Sequence, residues 1–145
     1  MFIGEYNHTI DAKGRMIIPQ KFREGLGESF FMSKGLDGCL VLYPEDQWIK
    51  FVDKLNNLSD IRKDNRDLKR FFLSGASDCE IDKQGRVLIT PTLREYAGLK
   101  KDIVITGAST RIEVWNRNKW DDISNIDVDD MDDIAERLAE QGIDI

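Results

Sequence analysis

The sequence is poor in the residues on which most enzymes and metalloproteins depend. It holds one histidine, His8, two cysteines, Cys39 and Cys79, and three prolines in 145 residues. No CxxC pair occurs, so a zinc cluster lacks its ligands. Both cysteines stand among apolar neighbours and read as buried, reduced thiols. No nucleophile lies beside a base, and no glycine-rich loop could cradle a phosphate. Paired carboxylates occur only near the C-terminus, where a solvated helix face accounts for them. Neither an enzyme nor a bound metal or cofactor is therefore expected. No apolar run approaches the ~18 residues of a membrane span. No basic region precedes an apolar one at the N-terminus, so no signal peptide and no membrane partner are expected.

The formal net charge of −6 at first argues against nucleic acid. The average conceals an uneven distribution. Residues 121–145 carry ten acids and one base, Arg137, whereas residues 1–120 carry a net charge of +3. A mildly basic body thus precedes a strongly acidic tail, and such asymmetry bears on partners.

Against this background one stretch occurs twice. Ile10-Asp11-Ala12-Lys13-Gly14-Arg15-Met16-Ile17-Ile18-Pro19 returns, 71 residues later, as Ile81-Asp82-Lys83-Gln84-Gly85-Arg86-Val87-Leu88-Ile89-Thr90-Pro91. At that offset Asp11 meets Asp82, Gly14 meets Gly85, Arg15 meets Arg86, and Arg23-Glu24 meets Arg94-Glu95. Only the proline slips, by one position. An Asp followed by a Gly is turn chemistry, because Asp bonds its own backbone two residues on and Gly supplies positive φ. The apolar, β-branched run that follows reads as a strand, and the proline marks the start of a helix. The unit is strand, charged turn, strand, short helix. Two copies of about 70 residues are too few for a solenoid and suit two related halves around one core.

The rest of the chain fits that plan. Residues 1–10 read as a short strand pair. Phe30-Phe31-Met32 and Leu40-Val41-Leu42-Tyr43 read as strands, matched in the second half by Ile103-Val104-Ile105, a turn at Gly107, and Arg111 to Trp115. Pro44-Glu45-Asp46 starts a helix with Trp48, Phe51, Val52 and Leu55 on one face. Asn116 caps its counterpart, which contains Trp120 and Ile123. Trp48 and Trp120 are expected in the core. A helix over 60–72, with Ile61, Leu68, Phe71 and Phe72 on one face, connects the halves; its charged face reads as solvated rather than DNA-contacting. The expected divisions are 1–56 for the first repeat, 57–72 for the connector, 73–124 for the second repeat and 125–145 for an acidic helix or tail. Val128, Met131, Ile134, Ala135 and Leu138 would be that last helix's inward stripe.

The doubled Asp-x-x-x-Arg turn, its apolar strand and its Pro-started Leu/Phe-Arg-Glu helix resemble the MraZ family. Phe2-Ile3-Gly4 and Leu93-Arg94-Glu95-Tyr96-Ala97-Gly98-Leu99 strengthen the resemblance, which covers residues 1 to about 120. Thr90, standing where the family often has Pro, is itself a good helix cap. The resemblance implies a mainly β fold with flanking α helices, a double swapped-hairpin β-barrel of the SpoVT-AbrB kind formed by the two repeats. It implies a bacterial transcriptional regulator of the division and cell-wall gene cluster. Such a protein would be cytoplasmic and nucleoid-associated, and would bind tandem direct repeats in double-stranded DNA upstream of its own operon. It would do so as a ring-like homo-oligomer larger than a dimer.

The residues point the same way. A lone hairpin cannot bury its apolar face, so two should intertwine. Arg15 and Arg86 are the candidate base readers, Lys13 and Lys83 the candidate phosphate contacts, and Asp11, Gly14, Asp82 and Gly85 the residues that shape the turns. The competing reading of each Asp–Arg pair is a purely structural ion pair. Arg23 and Arg94 are equally suited to pairing with Glu24 and Glu95 or their neighbours. A protein–protein assembly module on the same barrel, with no DNA binding, is the alternative function.

Overall fold

In the computed structural model, which describes residues 1–145, the two halves exchange strands. The chain order is β1 (Glu5–Thr9), β2 (Arg15–Ile17), α1 (Gln20–Leu26), β3 (Ser29–Lys34), β4 (Leu40–Pro44), α2 (Glu45–Asn56) and α3 (Lys63–Ser74). The second half repeats it as β5 (Ser77–Glu80), β6 (Arg86–Leu88), α4 (Pro91–Ala97), β7 (Asp102–Ala108), β8 (Arg111–Asn116) and α5 (Arg117–Ser124), and α6 (Val128–Glu140) follows. Six strands form one antiparallel sheet in the order β1-β7-β8-β4-β3-β5. β1 of the first half pairs with β7 of the second, and β5 of the second pairs with β3 of the first. The order is symmetric about the β8–β4 pair, where Leu40 faces Val114 and Leu42 faces Ile112. Neither half could satisfy its own edge strands alone.

The two motif strands, β2 and β6, leave this sheet and pair with each other. Arg15 faces Leu88, Met16 faces Val87 and Ile17 faces Arg86. Reciprocal bonds close both ends of the ribbon: Ile18 N–H donates to the Gly85 carbonyl and Ile89 N–H to the Gly14 carbonyl, each at 2.9 Å. Alternation then sorts the side chains. Met16 and Val87 point inward and are 1% and 2% exposed, while Ile17 and Leu88 point outward and are 44% and 56% exposed. The core lies between ribbon and sheet, where Ile18, Phe22, Leu26, Ile89, Leu93 and Ala97 meet Phe30, Met32, Leu42, Ile103, Ile105 and Ile112.

The sheet and the ribbon are hydrogen-bonded separately and make no single closed ladder. The fold is mixed α/β rather than mainly β, since helical residues outnumber strand residues. The reason lies on the sheet's outer face, which aromatic side chains cover with helices. Phe31 stacks on Trp48 and Tyr43 on Phe51, both at 5.2 Å between centroids, and Phe51 meets Phe72 edge-on at 5.0 Å. Trp115 and Trp120 play the corresponding part in the second half. Trp48 is buried and Trp120 half-buried.

Several local expectations change. Residues 1–10 do not pair among themselves: β1 crosses to β7, and Phe2 bridges to Ser109. The connector helix begins at Lys63, so Ile61 lies before it and is 89% exposed. None of the stripe on α6 is buried in this chain: Val128 is 71% exposed, and Ile134 and Leu138 are half-buried. Pro91 is the first residue of α4 behind the Thr90 cap, whereas Pro19 is itself the cap of α1, which accounts for the slipped proline.

Gly107 is not a turn. It lies within β7 opposite Ile112, and the chain reverses after Ala108 instead. A Cβ on Gly107 would fall 2.7 Å from the Cα of Ile3, so the missing side chain is what lets the Phe2–Ile3 backbone cross the sheet. Gly107→Ala should therefore destabilise the fold by about 1–3 kcal/mol, the usual cost of an unrelieved small-to-large change. Urea unfolding of the two proteins measures this directly, and equal midpoints would show that the crossing is not constrained there.

Candidate nucleic-acid interface

Each copy of the turn is built by one carboxylate. Asp11 Oδ1 accepts from the Lys13 and Arg15 backbone N–H groups, both at 2.9 Å, and Oδ2 accepts from Arg15 Nε at 2.7 Å. In the second copy Asp82 Oδ1 accepts from Gln84 N–H and Arg86 N–H at 2.9 Å, and Oδ2 from Arg86 Nε at 2.8 Å. The backbone bonds match as well, with Gly14 N–H to Asp11 O and Gly85 N–H to Asp82 O both at 3.0 Å. Gly14 and Gly85 have φ of 86° and 77°, a region that costs other residues about 1–2 kcal/mol.

The ion pair engages only Nε of each arginine. The terminal nitrogens of Arg15 and Arg86 have no protein hydrogen-bond partner, and those are the pair that a guanine edge takes. A structural ion pair and a free recognition fork thus coexist in one side chain. Arg15 and Arg86 share the outer face of the ribbon with Ile17 and Leu88, on adjacent strands as diagonal neighbours about 7–8 Å apart. Lys13 and Lys83 are exposed on the turns and carry no ion pair. The two lysines are not equivalent, however: at the 71-residue offset Lys13 meets Gln84, and Lys83 meets Ala12.

Arg23 and Arg94 do not pair with Glu24 or Glu95. Their Nε groups donate to the Ile18 and Ile89 carbonyls at 2.9 and 3.0 Å. Each guanidinium then lies against the other half's turn, since a Cβ on Gly14 would fall 2.7 Å from Arg94 Cζ, and Gly85 is crowded in the same way by Arg23. The half-exchange of the strands is repeated at the turns. The sequence showed these arginines at matched positions, but their true partners are backbone atoms, which the sequence does not display.

The backbone N–H groups of Arg15 and Arg86, ahead of the other contacts, hold the Asp11 and Asp82 carboxyls below the usual carboxylate range. The ionised forms therefore favour the folded turns. Their contribution is complete above the unfolded value of about 4 and is lost as pH falls through the lower folded value. The Arg15 and Arg86 Hε resonances should accordingly stay protected from exchange down to pH about 4 and lose protection below it. Loss of protection already near neutral pH would show that the carboxylates do not hold the forks.

No helix is long and apolar enough to cross a membrane, and no group of three metal-ligating side chains occurs. The comparisons with known proteins agree with the repeat. A family model described as "MraZ protein, putative antitoxin-like" matches the chain twice, over residues 1–71 and 72–141. A protein of Lachnoclostridium phytofermentans named transcriptional regulator MraZ is 52% identical over 143 residues, covering 99% of each chain. Proteins of the same name from Acetivibrio thermocellus and Clostridium tetani are 53% and 52% identical, covering 99% of this chain and 100% of their own.

Proposed function

Because the chain belongs to the MraZ family, whose named activity is regulation of transcription rather than catalysis, we propose that it is a DNA-binding transcriptional regulator that reads bases with the outer face of its β2–β6 ribbon. The observation that carries this reading is the pair of matched turns, each fixing an arginine through Nε and leaving its terminal nitrogens free. A two-stranded ribbon fits the major groove of B-DNA. There Arg15 and Arg86 take guanine edges, while Lys13 and Lys83 meet phosphates. Asp11, Gly14, Asp82 and Gly85 hold the shape and do not themselves touch DNA.

The strand exchange supports a swapped-hairpin body in which the ribbon closes one side over the six-stranded sheet. One ribbon reads few base pairs, so several copies act together as a ring-like homo-oligomer on tandem direct repeats. Exposed apolar residues outside the turns, among them Ile49, Leu68 and Leu73, suit contacts between copies. The proposed target is the DNA upstream of its own operon in the division and cell-wall gene cluster, which places the protein at the nucleoid in the cytoplasm. Footprinting on that upstream DNA tests the reading: protection should recur along one face of the duplex, and an unprotected upstream region would count against it.

A further inference from the structure

The two turns match to within 0.1 Å in their internal bonds, but the ground beside them differs. Each is anchored by one backbone bond from the residue that precedes its aspartate. Ile10 N–H donates to the Lys101 carbonyl at 2.8 Å, and Ile81 N–H donates to the Glu28 carbonyl at 3.0 Å. Strand register extends the correspondence, since Thr9 faces Asp102 where Glu80 faces Ser29. Lys100, Lys101 and Thr9 beside the first turn thus stand where Gly27, Glu28 and Glu80 stand beside the second. Asn7, facing Val104, matches Asp78, facing Phe31.

The surface chemistry is therefore opposite at the two ends of one ribbon. Lys100, Lys101 and Asp102 leave the first corner at +1, while Glu28, Asp78 and Glu80 set the second at −3. Both corners border clefts, and those at the second are lined by Glu28, Asp78 and Glu80. At the first, a cleft of about 590 Å³ runs along Thr9, Ile10 and Asp11 and is bounded by Arg94, Lys100 and Lys101. Arg94 has its Nε on the Ile89 carbonyl and its terminal nitrogens unpaired, and neither lysine has an ion-pair partner. Three cations thus border a hollow beside a turn, against two carboxylates: Asp11, already held by Arg15, and Asp102, opposite Thr9.

We propose that the Lys100–Lys101 corner, with Arg94 at its base, is a site for DNA backbone phosphate, and that its acidic counterpart at Glu28 and Glu80 makes the pseudo-symmetric ribbon directional on the duplex. The inference rests on the DNA-binding reading above. A ribbon with like ends would accept a symmetric site in either sense. Here one end gains phosphate contacts and the other repels them, so each subunit runs along DNA in one sense. Directional subunits in a ring require repeats that all point the same way.

The test is the salt dependence of binding to upstream DNA for the full-length protein and four variants. Neutralising a phosphate contact lowers the slope of log K against log salt by about one unit. Lys100→Ala with Lys101→Ala should make the slope shallower by about two units per bound subunit, with base preference unchanged. Glu28→Lys with Glu80→Lys should steepen it and reduce the penalty for inverting one repeat. Lys50→Ala with Lys54→Ala, exposed on α2, should change neither. Thermal unfolding of the Lys100/Lys101 variant should match wild type, because both side chains are exposed. A slope unchanged in that variant, while Arg15→Ala with Arg86→Ala abolishes binding, would overturn the corner and leave the ribbon reading standing. Binding that survives the double arginine change would overturn both.

Discussion

Arg15→Ala together with Arg86→Ala should abolish sequence-specific binding and leave the chain folded. Each good bidentate contact to a base contributes about 1–3 kcal/mol of discrimination. Two such losses in one chain come to roughly 2–6 kcal/mol if additive, or a Kd raised roughly 30-fold to more than 10⁴-fold. The fold should tolerate the change. Asp11 and Asp82 keep their backbone bonds to residues 13 and 15 and to residues 84 and 86, and a solvent-screened surface ion pair adds little to stability. Lys13→Ala and Lys83→Ala should instead weaken binding to every sequence alike. The measurements are equilibrium binding to specific and scrambled duplexes and a thermal melt of each variant. An unfolded arginine variant would make the Asp–Arg pairs structural and nothing more.

The second large effect concerns spacing. One ribbon offers a contact set too small for the discrimination a genome demands, so affinity has to come from several subunits on one duplex. Linking sites can raise avidity about 10²–10⁴-fold with no new contact, provided that all sites engage together. Subunits of a ring that point the same way need sites on one face of the duplex, about 10 base pairs apart. Inserting about five base pairs between adjacent repeats turns the second site to the far face and should remove that gain. Inserting a full turn should be better tolerated. Binding indifferent to both insertions, or tight binding by a monomer to a single repeat, would contradict the multivalent account.

Much of the candidate site's turn geometry was legible because turn chemistry is local. Asp11, Gly14 and Arg15 specify their own geometry within five residues, and a second copy with the same chemistry left little freedom. Helix α2 was legible for a similar reason, since Trp48 and Leu55 fall on one face and are both buried. The exchange of β1 and β5 between halves was not readable from periodicity, because alternation shows which face is buried and not which strand is the neighbour. Gly107 misled for the same reason: its partner is the backbone of residues 2 and 3, more than 100 positions away. Arg23 and Arg94 were visible as a matched pair, but the sequence offered glutamates as partners where the fold supplies carbonyls. On α6 the apolar stripe is real in sequence, but the fold leaves none of its residues buried.

The central claim, that the turns at the ends of the β2–β6 ribbon lie against DNA, can be tested from the protein side. Burial pushes the Cys39 thiol up to about 12 and the Cys79 thiol up to about 11, so both stay protonated and unreactive near neutral pH. A single exposed cysteine at Lys13→Cys, carrying an iron chelate that cleaves nearby DNA, would then report one location. The account predicts cleavage from position 13 at a fixed place in every repeat, all in the same sense, and none from the same label at Lys63→Cys on α3. Cleavage from position 63 with none from position 13 would contradict it.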